Sequence, residues 1–193
     1  MQFLLRVSRV IDALSERIGN VLIWLLLATV LISTGNALVR KLFSIGSNAW
    51  LEIQWYLFSA VFLLGAGYAF LHNVHVRIDF VSSRLSARGR NWIDIIGIVA
   101  FLAPLCWLLL SMSWPLFVNA YRTGEMSQNA GGLIRWPVML MIPLGMLLLL
   151  AQAFSELVKR IAFLKGLIAD PLAHAEPGKA HGEETARELE AAK

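Results

Sequence analysis

Residues 71–80, LHNVHVRIDF, hold a high density of side chains that can do chemistry. Two histidines, His72 and His75, precede Arg77 and Asp79 at the end of a long apolar run. Imidazoles and carboxylates bind transition metals, and a pair of histidines can hold a haem iron. The segment therefore raises three possibilities: a metal or haem site, a proton relay, or the boundary where a helix leaves a membrane.

The spacing argues against a metal or haem site. A membrane haem usually needs histidines from two facing helices, whereas His72 and His75 lie three residues apart on one predicted helix. A metal would need further ligands, and Asp79 alone is a poor supplement. The single cysteine, Cys106, lies in an apolar run and forms no CxxC motif. We therefore expect no cofactor and no catalytic residue, which leaves a boundary segment.

The elements that carry these residues are predicted to be membrane helices. Only 16% of the 193 residues are charged, against roughly 25% in soluble domains. Four uncharged stretches are bounded by Arg17 and Arg40, Glu52 and Arg77, Asp94 and Arg122, and Arg135 and Glu156. Each is long enough to cross a hydrocarbon core, which takes about 20 helical residues. The pattern predicts an all-α integral membrane protein with four transmembrane helices near residues 18–39, 52–72, 93–119 and 136–157.

The two ends of the chain differ from the transmembrane domain, residues 18–168. In residues 1–17, Phe3, Val7, Val10 and Leu14 recur at helical spacing, opposite a polar face. This pattern predicts an amphipathic interfacial helix, which would lie on the membrane surface or pack on a partner subunit. Residues 169–193 are rich in Ala, Glu, Gly and Pro, and predict a disordered tail.

The distribution of lysine and arginine predicts the orientation. On the side of the termini lie Arg6, Arg9, Arg17, Arg77, Arg84, Arg88, Arg90, Lys159, Arg160 and Lys165; on the other lie Arg40, Lys41, Arg122 and Arg135. Cytoplasmic segments carry the excess of positive charge, so we predict that both termini are cytoplasmic. The net charge of +4 then reflects membrane topology, and no basic run with interleaved aromatics indicates nucleic-acid binding.

Neutral polar and small residues within the apolar stretches indicate possible helix-packing seams. Thr29, Ser33 and Asn36 share one face of helix 1. Their side chains would either bond back to carbonyls of their own helix or form a polar seam against another helix. Gly65 and Ala69 in helix 2 form a small-xxx-small pair, which lets a neighbouring helix approach closely.

Two motifs carry a resemblance to a known family. The stretch LLGAGYAFLHNVHVRIDFV resembles the signature of the DctQ family, the small membrane subunit of tripartite ATP-independent periplasmic (TRAP) transporters. In that family a His-Val-Arg-hydrophobic-Asp core follows small residues in helix 2, and residues 75–79 match it in order. An acidic residue opening helix 2 is also typical, and Glu52 in NAWLEIQWYLF fits. The loop TGEMSQNAGGLIRWP resembles a subgroup often labelled for mannitol or chloroaromatic compounds, and the whole resemblance covers about residues 5–170.

The resemblance implies a non-catalytic role in the bacterial inner membrane. In this family the small permease subunit is a fixed scaffold beside a large multi-helix subunit of the DctM family. The large subunit carries the substrate and Na⁺ sites and moves as an elevator. A periplasmic substrate-binding protein delivers the solute, usually an organic acid.

The resemblance also implies roles for individual residues. His75, Arg77 and Asp79 would form a structural turn at the cytoplasmic boundary. Glu52, with Gln54 and Trp55 beside it, would mark the start of helix 2 or contact a subunit; a carboxylate is favoured by the dipole at that helix end. The candidates for docking the binding protein, as opposed to ordinary solvated loop charges, are Arg40, Lys41, Arg122, Glu125 and Arg135.

Two rival hypotheses stay open at this point. The first is a membrane anchor of a redox enzyme holding haem or quinone, against which the placement of His72 and His75 on one helix argues. The second is a small autonomous exporter, which would need a membrane-embedded carboxylate. Glu52 lies too near the outer end of its helix to serve as one.

Overall fold

The computed structural model describes residues 1–44, 46–73 and 86–171. Within these ranges the chain forms five α-helices and one π-helical turn. They are α1 (Gln2–Phe43), α2 (Asn48–Leu71), α3 (Ala87–Gly97), the π turn (Ile98–Leu102), α4 (Ala103–Thr123) and α5 (Trp136–Leu164). The segments α3, π turn and α4 are continuous over Ala87–Thr123. Four helices are thus long and apolar enough to cross a membrane, which confirms the all-helical, four-span prediction.

The helices extend beyond most of the predicted bounds, because an uncharged stretch measures only the hydrocarbon core. The largest difference is in α1, which runs without interruption from Gln2 to Phe43. At 1.5 Å per residue its 42 residues span about 63 Å, more than the roughly 40–45 Å of a whole bilayer. Residues 1–17 are therefore continuous with the first transmembrane helix, and their place at the membrane surface stays a prediction.

Helix α5 lies at the centre of the packing. It contacts α1, α2, α3, the π turn and α4, and α1 also packs along α2. Small residues set the closest approaches: a Cβ added at Gly145 would lie 2.7 Å from the carbonyl oxygen of Leu63. On α1, Gly19 leaves the space that the ring of Tyr68 fills. Glycine lets α5 approach the backbone of α2 at Gly145 and lets α1 accommodate an aromatic ring at Gly19, as small residues do in membrane helix pairs.

The π turn lies directly before a proline. The N–H of Ala103 donates to the carbonyl of Ile98, five residues back, and Pro104 follows without an N–H of its own. A π turn widens the helix locally and often accompanies an interruption of the regular ladder. It therefore keeps α3 and α4 in one continuous helix across the point where the regular bonding pattern is broken.

The chain just after α5 packs back onto α3. Asn91 is fully buried and donates through Nδ2 to Oδ1 of Asp170 at 3.0 Å. Asp170, which falls in the predicted disordered tail, is thus bonded to a helix. Residues 172–193, the rest of that tail, lie outside the described ranges.

Candidate functional site

Glu52 forms the centre of a hydrogen-bonded cluster at the amino-terminal end of α2, beside the connection between α4 and α5. The residue is 1% exposed. Its Oε1 accepts from the hydroxyl of Ser127 and from Nδ2 of Asn129 at 2.8 Å, and its Oε2 accepts from the backbone N–H of Leu133 at 2.6 Å. Three donors from one connection therefore satisfy a carboxylate that helix α2 supplies. We call these four residues the loop cluster.

Further contacts fix the same connection onto α2. Asn48 donates to the carbonyl of Ala130 at 2.9 Å, and the hydroxyl of Tyr56 donates to the carbonyl of Ile134 at 3.0 Å. Within the connection, Met126 and Ile134 form an isolated antiparallel bridge. The connection from residue 124 to residue 135 is thus held in one conformation by helix α2, with Glu52 contributing most of the bonds.

The structure changes the interpretation of Glu52 and its neighbours. Helix α2 begins at Asn48, so Glu52 lies in its second turn. Its carboxylate binds the other three residues of the loop cluster, which belong to the same chain. Gln54 makes one long contact, 3.5 Å, from the hydroxyl of Ser33 to its Oε1. Trp55 is 44% exposed and packs edge-on against Tyr56. A contact of these residues with another subunit stays a proposal.

The predicted docking residues divide into two groups. Glu125 and Arg135 form an ion pair with each other, so part of their charge is used within the connection. Arg40 and Lys41, in the last turn of α1, and Arg122, in the last turn of α4, are exposed. These three cations therefore remain available at the end of the molecule that carries the loop cluster.

A second polar cluster joins the first turns of α1 to the last turns of α5. Its centre is Asp12, whose Oδ1 accepts from Nε2 of Gln152 at 2.9 Å and from the hydroxyl of Ser155 at 2.7 Å. The Nζ of Lys159 contacts the other oxygen, Oδ2, at 3.1 Å. Ser15 donates to Oε1 of Gln152 at 2.7 Å. One carboxylate of α1 is thus held by three consecutive turns of α5.

The same cluster continues to α3 through a buried arginine. Arg160 is 1% exposed and forms an ion pair with Glu156, which also contacts Lys159 at 2.5 Å. On its other side, Nε and Nη2 of Arg160 contact Oδ2 of Asp94 at 3.2 and 3.1 Å. Arg160 therefore joins α5 to α3, while Asp12 joins α5 to α1. We call this set the α1–α5 network; its members are Ser8, Asp12, Ser15, Asp94, Gln152, Ser155, Glu156, Lys159 and Arg160.

The predicted seams are used in different ways. The hydroxyl of Thr29 donates to the carbonyl of Leu25 of its own helix at 2.8 Å, the simpler of the two possibilities. The contact of Ser33 with Gln54 crosses from α1 to α2, but it is long. Asn36 lines a groove of about 480 Å³ between the end of α1 and the start of α2.

Small residues of α2 pack against neighbouring helices at Gly65, one of the predicted pair, and at Gly67. A Cβ added at Gly65 would lie 3.3 Å from Leu22 of α1, so this position faces α1 as a packing residue. The close contact with α5 comes from Gly67, which lies near the backbone of Leu148 and the hydroxyl of Ser15. Ala69 is half-buried. Gly65 therefore faces α1, while Gly67 lies where α1 and α5 both approach α2.

Of residues 71–80, the structure describes residues 71–73. His72 directly follows the last residue of α2, and its Nε2 contacts Oε2 of Glu16 at 2.8 Å. His75, Arg77 and Asp79, the predicted structural turn, lie outside the described residues. The contact with Glu16 occupies one ring nitrogen of His72 and ties the end of α2 to α1.

Sequence reasoning missed the α1–α5 network, although a signal was present. Asp12 and Ser15 are three residues apart, and Gln152, Ser155 and Lys159 follow at spacings of three and four. Such spacings place polar side chains on one face of each helix. Two polar stripes at the ends of apolar helices are a pattern that could have suggested a pair of facing surfaces.

The fold and its two polar clusters define an all-helical membrane protein whose charges lie at the helix ends. A family model described as "Tripartite ATP-independent periplasmic transporters, DctQ component" matches residues 29–163. The match covers well over half of the chain, so the chain belongs to the DctQ family, the small-subunit family of TRAP transporters. No curated protein and no solved structure matches the chain.

Proposed function

We propose that this chain is the stationary, non-catalytic subunit of a TRAP transporter in a bacterial inner membrane. Both termini would face the cytoplasm. The chain would hold the large DctM-family subunit, which carries the substrate and Na⁺ sites, while a periplasmic binding protein delivers an organic acid or a similar small solute. The family membership supports a place in a tripartite transporter. The roles of the three proteins within that transporter are our inference.

The observation that carries the proposal is the placement of charge. The four uncharged stretches hold no aspartate, glutamate, lysine or arginine, and the carboxylates Asp12, Glu52 and Glu156 at the helix ends accept bonds from their own chain. A coupled carrier usually exposes an ionisable side chain to a mid-membrane path. This chain uses these three carboxylates to hold helices and a connection in place, as expected of a rigid support.

The loop cluster supports a second part of the proposal, a docking surface for the binding protein. Glu52 fixes the connection beside the exposed cations Arg40, Lys41 and Arg122. A rigid loop next to exposed positive charge suits a partner with an acidic surface, because complementary charge mainly accelerates association. Charge reversal of the three cations should therefore lower the initial uptake rate and make it more sensitive to salt. The control is the double variant Glu125→Gln with Arg135→Gln, which removes the paired charges of the same loop and leaves its net charge unchanged.

Reconstitution tests the proposal as a whole. The large subunit is placed in liposomes with a Na⁺ gradient, with or without this chain and with or without the binding protein outside. We expect uptake only when all three are present and none from this chain alone. Uptake by the chain alone would contradict the proposal, as would full uptake in its absence.

A further inference from the structure

The outward face of the first turns of α1 carries three arginines that the fold leaves uncompensated. Arg6, Arg9 and Arg17 are exposed, and none has an acidic partner among the described residues. Together with Val10 and Leu14 they line one shallow groove of about 580 Å³. The spacings of three and four residues place all five on one side of the helix. We call these five residues the arginine face.

The two acids of the same segment both have partners outside α1. Asp12 is held by Gln152, Ser155 and Lys159, while Glu16 is held by His72. The stripe of α1 that packs into the protein contains Ser8, Ser15 and Gly19, which are all buried. At about 100° per residue this stripe lies roughly opposite the arginine face. The fold therefore provides partners for both acids of this segment, while its three arginines stay exposed.

The crossing of α1 over α5 keeps this segment near the membrane boundary. Ser8 and Ser15 are seven residues apart on α1, about 10 Å, yet they contact Ser155 and Gln152, which are only three residues apart on α5, about 4.5 Å. Helix α1 therefore runs obliquely to α5. Ser8 lies level with Ser155, where the uncharged stretch of α5 ends.

From this geometry we propose that the arginine face binds the headgroups of anionic phospholipids. Guanidinium groups bind phosphate oxygens in a two-pronged geometry, and the exposed apolar side chains of Val10 and Leu14 suit the acyl boundary below them. A cluster of three cations with two apolar residues matches an anionic membrane surface in both charge and polarity. The inference uses the cytoplasmic placement of the amino terminus but does not depend on the scaffold role.

The test reads the lipid composition next to the face in the full chain. Leu14, which is 48% exposed, is replaced by cysteine and labelled with a fluorophore, while buried Cys106 is replaced by alanine. The protein is placed in nanodiscs of phosphatidylcholine and phosphatidylglycerol, with a nitroxide quencher on one lipid or the other. The positional control is a label at Leu108, which is exposed and lies midway along the uncharged stretch between Asp94 and Arg122.

We expect labelled phosphatidylglycerol to quench the dye at position 14 more strongly than labelled phosphatidylcholine, and the two to quench equally at position 108. Each arginine should raise the relative occupancy of phosphatidylglycerol about fivefold. Replacing Arg6, Arg9 and Arg17 with glutamine should therefore abolish the preference. The matching triple lysine variant keeps the charge and should keep the preference, which separates lost charge from lost folding.

Two results would overturn the inference. Equal quenching by both lipids at position 14 in the wild-type arginine background would show no anionic-lipid site. Loss of quenching by both lipids when the large subunit is added would show that a protein partner covers the face.

Discussion

Removing the buried charge of Arg160 should destabilise the protein far more than removing an exposed charge of the same kind. Arg160→Gln leaves Glu156, whose side chain is 3% exposed, without its arginine partner, and it breaks the contact with Asp94 that joins α5 to α3. Breaking a buried pair from one side costs about 3–5 kcal/mol. Lys159 still contacts Glu156, so we place the cost near the lower end, at about 3 kcal/mol.

The matched control is Arg135→Gln. The side chains of Arg135 and Glu125 are 31% and 38% exposed, and an exposed pair contributes about 0–1 kcal/mol. For a chain of this length each kcal/mol shifts Tm by about 2–4 °C. In mild detergent Arg160→Gln should therefore lower Tm by about 6–12 °C, and Arg135→Gln by less than about 4 °C.

A double variant separates a lost pair from a stranded charge. Adding Glu156→Gln to Arg160→Gln removes both charges, and replacing both members of a buried pair is often close to neutral. The double variant should regain much of the lost Tm. The reasoning fails if Arg160→Gln lowers Tm no more than Arg135→Gln does, or if the double variant is the least stable of the three.

The remaining predictions concern the loop cluster and the helix contacts. Glu52→Gln should speed hydrogen exchange at the Leu133 amide by roughly tenfold or more, because the amide loses a charged acceptor. The control Glu125→Gln should change this exchange rate little. Equal effects of the two variants would mean that Glu52 does not hold the loop. Gly145→Ala should cost about 1–3 kcal/mol, since its Cβ would lie 2.7 Å from the backbone of α2. Gly35→Ala, where a Cβ meets open space, should instead stabilise by about 0.5–1 kcal/mol in a thermal unfolding assay; a larger loss at Gly35 would contradict the packing.

The sequence predicted the spans well because the relevant signal is local. A run without charge reports directly on the cost of placing ionised groups in hydrocarbon, so four such runs predicted four helices. The same signal could not show that α1 begins at Gln2, because its first turns carry arginines and acids. The first turns of α1 also pack against α5, which the composition of residues 1–17 does not reveal.

The contacts of the site residues were beyond local patterns. Glu52 was selected from the sequence, but its donors lie 75 to 81 residues later and come from a connection with no regular secondary structure. Asp12 finds its partners 140 to 147 residues away. Helical periodicity predicts on which face of its own helix a residue lies. It does not predict which other helix packs against that face. Thr29 and Ser33, by contrast, lie on the predicted face, yet one bonds to its own helix and the other makes only a long contact.

The most direct test of the scaffold role is affinity purification of this chain, tagged, from cells that also express its neighbouring genes. The account predicts that a large multi-helix membrane protein is recovered in stoichiometric amount and that the pair stays together in mild detergent. Recovery of the chain alone, folded and stable, while the large protein transports solute without it, would contradict the account.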